Sequence, residues 1–209
     1  MIMEQAQLTK TARLAGLWYL ILAISGLFGF MIFHPQIFVE DPQKTLDNLN
    51  NLGSISRARL LFELVIIISQ ALAAVWFYKL FCGINHWAAV ALGIWGTVNA
   101  VVIMVSAIAM SSAIDIAHST FTAYQEKINL IQVLGKLISN AWSVGGLFFG
   151  LWLIPMGYIV ISSGRMPIWL GRILIIGGIG YLLQTFINCT GVQSAYVNML
   201  VIPATVGEF

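Results

Sequence analysis

Arg59 and Glu63 lie inside a long apolar run, Ala58 to Cys82, four residues apart, so one helical turn can bring guanidinium and carboxylate together. Arg59, Glu63, Ile66, Gln70, Ala73 and Phe77 recur every three or four residues, which puts them on one helical face that must look into a bundle. The next apolar run carries Thr97 and Asn99 near mid-depth, roughly level with Gln70. Arg57, Asp115, His118, Lys136, Asn140, Gln184 and Asn188 fall toward the same half of the bundle as Arg59. Charges inside a bilayer are costly, and they pair with one another or line a water-filled cavity. The functional reading is a polar cavity open to the outside, with Arg59, Glu63, Gln70, Asn99, His118 and Gln184 as ligand-binding groups. The plainer reading is a structural ion pair with interfacial anchors.

Other chemistries find little support. His34, His86 and His118 are never four residues apart from one another, so no metal site with three protein ligands is visible and no metal is expected. Ser163-Gly164 sits in a turn without a nearby His or Asp, and no Gly-x-Ser-x-Gly is present. Gly177-Gly178-Ile179-Gly180 follows no strand and lies within an apolar helix, where it serves packing rather than phosphate binding. Cys82 and Cys189 end spans on opposite membrane faces, which argues against a disulfide. Asn188-Cys189-Thr190 matches a glycosylation acceptor by chance, at the membrane boundary. No catalytic group and no cofactor is assigned.

The elements that hold these residues are helices of membrane length. Over 209 residues, 59% are hydrophobic and only 9% charged, against about 25% charged in soluble domains. A net charge of +2, with ten scattered Lys and Arg, excludes a nucleic-acid footprint. Crossing a bilayer core takes about 20 apolar residues, and five runs suffice: Ala12 to Phe33, Ala58 to Cys82, Trp87 to Ile114, Trp142 to Ile161 and Ile168 to Asn188. The first lacks a small-x-small cleavage site and is an uncleaved span. The last two form a hairpin around Ser162 to Pro167, with glycines on both arms that let backbones approach closely. Pro155 should kink the fourth span.

Two short amphipathic helices are expected at the interface. One follows Asp41-Pro42, with Leu46, Leu49 and Leu52 on one side; the other covers Ala123 to Leu137 behind a Thr-x-x-Gln capping box at Thr122, and either bends into the fourth span or continues it. Ala195 to Phe209 reads as a sixth helix cut short, with Glu208 facing inward. The fold class is thus an all-α polytopic transmembrane helical bundle, a single domain over 1–209, with five complete spans, a truncated sixth and two interfacial helices. With the N-terminus cytoplasmic, Lys10, Arg13, Lys79, Arg165 and Arg172 lie inside and Lys44, Arg57, Arg59, Lys127 and Lys136 outside, a tie by the positive-inside rule. The longer polar loops and most acids outside favour this orientation in the cell (inner) membrane. Trp87, Trp142 and Trp169 suit the interfacial aromatic belt.

Gly146-Leu-Phe-Phe-Gly-Leu151, Gly157-Tyr158, Ser163-Gly164, Pro167, Leu170-Gly171 and Gly180-Tyr181-Leu182 resemble a bacterial family of small multi-pass membrane proteins, domain-of-unknown-function family 4386. The resemblance extends to Ala15 through Leu20, Arg57 through Tyr78 and Pro203 through Glu208, nearly the whole chain. It implies a six-span bundle whose last helix continues past Glu208, and it brings no activity. Positions matching Gln70 and Gln184 are often acidic in that family and are amides here, which speaks against proton chemistry at those two places.

Three functional classes follow. The leading one is binding or transport of a small lipophilic or amphiphilic molecule, with the lipid bilayer as the other partner. The second is an enzyme acting on a lipid or isoprenoid, with Glu63 or His118 as base. The third is a structural or regulatory membrane subunit.

Overall fold

The computed structural model describes residues 5–190 and Met199, and among them every regular element is a helix. α1 (Gln5–Gly26) passes into a π-helical stretch, Leu27–Phe33, and on into α2 (His34–Ile37). There follow α3 (Pro42–Asn51), α4 (Gly53–Phe81), α5 (His86–His118), α6 (Tyr124–Ser163) and α7 (Ile168–Cys189). Five helical stretches are long and apolar enough to cross a membrane: Gln5–Ile37, α4, α5, α6 and α7. This is a multi-pass helical membrane protein. The expected sixth helix, Ala195 to Phe209 with Glu208, lies outside the described residues except for Met199.

α4 shows the polarity of a helix solvated by lipid. Ser56, Arg59, Glu63, Ser69 and Gln70 are buried, whereas Leu61, Leu64, Ile68 and Val75 are exposed. Apolar groups face outward because hydrocarbon accepts them freely, and polar groups turn inward because only other protein groups can satisfy them.

The helices group into two compact units. One comprises residues 20–69 and 100–142. Here α3 begins as the sequence predicts, with the Asp41 carboxylate accepting from the Gln43 amide at 2.9 Å and Pro42 in the first turn. Leu46 and Leu49 are buried against Ile37, Met110, Ile131 and Ile138. The apolar face of α3 is thus covered by neighbouring helices. The second expected interfacial helix is the start of α6, continuous over 40 residues, about 60 Å at 1.5 Å per residue. Thr122 does not close a capping box; its hydroxyl lies 3.1 Å from that of Ser119, within the turn that joins α5 to α6. Lys127 Nζ donates to the Ala117 carbonyl at 3.0 Å and caps the end of α5.

The other unit comprises residues 5–19, 70–99 and the described part of the chain from 143 onward. Its α6–α7 hairpin is knitted by facing glycines. A Cβ on Gly150 would come within 2.6 Å of the Gly178 carbonyl oxygen, and one on Gly171 within 2.6 Å of the Gly157 carbonyl oxygen. No side chain fits there, so the two backbones meet directly. Gly164, at φ +63°, supplies the left-handed turn residue between the arms. Cys82 and Cys189 are free thiols.

Candidate functional site

The chemistry anticipated on α4 is concentrated in the first unit. Arg59 and Glu63 are 1% and 2% exposed, and Arg59 Nη1 donates to Glu63 Oε2 at 2.5 Å while Nη2 approaches Oε1 at 3.4 Å. The i, i+4 spacing aligns them on one turn, as the sequence predicts. Two further donors converge on the same carboxylate. Ser106 Oγ donates to Glu63 Oε1 at 2.5 Å, and Trp142 Nε1 stands 3.2 Å from that oxygen and 3.0 Å from Ser106 Oγ. Glu63 is therefore a hub that ties α4 to α5 and α6.

An aromatic column lies beside the pair. The Arg59 guanidinium carbon sits 5.6 Å from the centre of the Phe30 ring, in cation–π range. Phe30 meets Trp142 at 4.0 Å and stacks on His34 at 4.8 Å, and His34 stacks on Phe38 at 5.1 Å. The π-helical stretch aims these rings. The His34 amide bonds the Gly29 carbonyl, five residues back, so the turn carrying Phe30 is widened by one residue. Gly29 lets that turn settle on α4, since a Cβ there would lie 3.1 Å from the Phe62 Cβ. Pro35 follows, which has no amide hydrogen to return to an α-helical partner and so favours a break in the regular ladder.

Glu63 is fully supplied with donors, but its surroundings are not fully supplied with acceptors. Arg59 Nε, Ser56 Oγ and His34 Nδ1 are all buried without a partner. Ser56 and Arg59 are three residues apart on one face of α4, and Arg59 and His34 share the Phe30 ring between them. Unpaired buried polar atoms are rare and costly, about 1–3 kcal/mol each. Three such atoms lie in one neighbourhood, and each of them can donate a hydrogen bond, His34 Nδ1 in one of its tautomers.

The remaining candidates are placed differently. Gln70 and Asn99 are buried, at 0% and 4% exposure, but belong to the second unit. Gln184 is half-buried on α7 in that unit. His118 is exposed in the last turn of α5, with Nδ1 2.8 Å from the Ile114 carbonyl oxygen, and Arg57, Asp115, Lys136, Asn140 and Asn188 are exposed as well. Arg59 and Glu63 are themselves buried, with Ser106 of α5 and Trp142 of α6 bonded to the Glu63 carboxylate. Trp142 Nε1 joins this network, and Trp87 and Trp169 are exposed. Among the described residues no group of three or more His, Cys, Asp or Glu is placed to hold a metal ion.

Comparison with known proteins gives a family and no activity. The family profile described as "Domain of unknown function (DUF4386)" matches residues 14–209. An uncharacterized protein of Archaeoglobus fulgidus is 38% identical over 48 residues, which is 23% of this chain and 30% of that protein. The match thus spans less than a third of that relative's length. No solved structure matches the chain.

Proposed function

The chain belongs to the DUF4386 family, whose description assigns no function, and we propose from the Arg59 cluster that it is a membrane-embedded binding protein for a small amphiphilic molecule. The head group would be rich in hydrogen-bond acceptors, a carboxylate or phosphate ester, and the tail would lie in the apolar bundle. The observation that carries this reading is the excess of donors: Arg59 Nε and Ser56 Oγ have no partner, and His34 Nδ1 donates in one tautomer. Glu63 offsets the charge of Arg59, so the site holds a guanidinium ready to bond without leaving an isolated cation in the bilayer. The second reading, an enzyme with Glu63 as base, is less favoured because Ser106, Trp142 and Arg59 already occupy that carboxylate. Entry requires the Trp142 side of the cluster to open. We place the N-terminus in the cytoplasm of a cell with this protein in its inner membrane, so that the cluster lies toward the outside.

Thermal unfolding in detergent tests this. Decanoate at about 100 times its Kd stabilises a specific receptor by about 2.7 kcal/mol, roughly 5–10 °C for a chain of this size. Decyltrimethylammonium, with the same tail and the opposite charge, should give no comparable shift. His34→Phe keeps the aromatic stack and Ser56→Ala keeps the helix; each should reduce the decanoate effect. Equal shifts with both surfactants, or a decanoate effect untouched by both substitutions, would remove the reading.

A further inference from the structure

The second unit holds a separate and neutral polar group of residues, which does not depend on the Arg59 site. Gln70 is 0% exposed and neither its Oε1 nor its Nε2 has a partner. Trp152 is likewise 0% exposed, and its Nε1 is also unpaired. One close helix contact sets Trp152 beside α4 one turn from Gln70. A Cβ on Gly96 of α5 would lie 2.7 Å from the Ala74 Cβ of α4 and 2.9 Å from Trp152 Nε1. Gly96 therefore gives the indole its room, and it fixes the antiparallel register of α4 and α5. Gly93 against Tyr78, at 3.6 Å, continues the same register one turn further on. Carried one turn the other way, that register sets Gln70 level with Asn99, which is 4% exposed. The indole nitrogen thus lies about one helical turn, roughly 5.4 Å along the axis, from the Gln70 level.

We propose that Gln70 and Trp152 hold a hydroxyl group at mid-span. The chemistry of the set selects it. Gln70 Oε1 needs a donor, while Gln70 Nε2 and Trp152 Nε1 need an acceptor, and a hydroxyl is both in one atom. A carboxylate lacks the donor and would add an unpaired charge; an ammonium lacks the acceptor. The hydroxyl has two sources, a buried water or the head of a membrane-soluble alcohol. The ring faces of Phe77 and Phe149, 6.0 and 5.6 Å from the Trp152 ring, would lie beside the chain of such an alcohol.

The test is thermal unfolding of the purified full chain in detergent with decanol or decane at equal concentration, for the wild type, Gln70→Leu, Trp152→Phe and the double variant. If the source is an alcohol, decanol raises the melting temperature of the wild type by several degrees more than decane, and both single variants lose the difference. If it is water, decanol and decane act alike. Each single variant then melts lower than the wild type, and the double variant melts no lower than the worse single one, because both substitutions remove bonds to one shared molecule. The proposal is overturned if decanol and decane act alike and the losses of the two single variants add in the double variant. Trp152→Phe deletes the N–H donor together with the pyrrole half of the buried indole, so its own loss includes a cavity, and the coupling between the two substitutions is what reports on the shared molecule. Gln70→Met, of similar length, replaces Gln70→Leu where that variant does not fold.

Discussion

Glu63 gathers bonds from three helices, and its removal should cost more than any one bond suggests. In Glu63→Gln the charge that balances Arg59 disappears while Arg59 stays 1% exposed, and breaking one half of a buried pair typically costs about 3–5 kcal/mol. The double variant Arg59→Met with Glu63→Leu removes both charges and should unfold closer to the wild type than Glu63→Gln does, as read by thermal unfolding in detergent. A double variant that unfolds below the single one would mean that the ion pair itself stabilises the fold. The pair was legible in the sequence because its two members are four residues apart on a helix. Ser106 and Trp142 were not, because they reach Glu63 from 43 and 79 residues away and nothing local marks them. Phe30 and His34 were hidden for another reason: a regular α-helix through residues 27–33 would aim them elsewhere, and a single-residue widening leaves no periodic trace in so apolar a run.

At the level of elements, the glycine-lined hairpin was readable because a backbone that must be approached closely can be written only in small residues. The contacts now rank the individual glycines. Gly178 faces the Gly150 carbonyl oxygen at 2.8 Å and the Ile154 side chain at 2.9 Å from its would-be Cβ, whereas Gly146 has Thr185 Oγ1 at 3.4 Å and the Tyr181 ring at 3.5 Å and Gly16 has nothing within 4 Å. Gly178→Leu should therefore destabilise the bundle by at least the 1–3 kcal/mol typical of overpacking. Gly146→Ala should be close to neutral, and Gly16→Ala should stabilise α1 by about 0.5–1 kcal/mol through the ordinary preference of a helix interior for alanine. Melting temperatures in detergent should fall in that order. Equal losses for Gly178→Leu and Gly146→Ala would show that the two arms of the hairpin do not meet at the glycines. What sequence patterning could not supply was the partner of α3: an amphipathic helix beside a membrane fits a lipid surface or a protein surface equally well, and only the burial of Leu46 and Leu49 decides between them.

For the whole molecule, the span count fixes which loops share a side, although the Lys/Arg distribution leaves the side itself open. α4 separates Asn50 from Gly83 by 29 helical residues, about 43 Å, more than the ~30 Å hydrocarbon core. The two positions must therefore fall on opposite sides, and each later span reverses the sense again. Phe121, fully exposed between α5 and α6, belongs with Asn50, and Arg165, exposed in the hairpin turn, belongs with Gly83. Asn85 is a poor labelling site because its Oδ1 accepts from the Ala88 amide at 2.9 Å and starts α5, while Gly83 is exposed with open space at its Cβ position. Both native thiols have to be changed to serine first, since Cys82 adjoins Gly83 and Cys189 is exposed. Single cysteines at 50, 83, 121 and 165 should then divide into two pairs toward a membrane-impermeant maleimide in intact cells, with 50 and 121 reacting and 83 and 165 silent until the membrane is opened. The reverse pattern would invert the orientation and leave the five-span plan standing. Reaction of 50 and 83 from the same side would mean that α4 does not cross, and the Arg59–Glu63 pair would then need no bilayer around it to explain its burial.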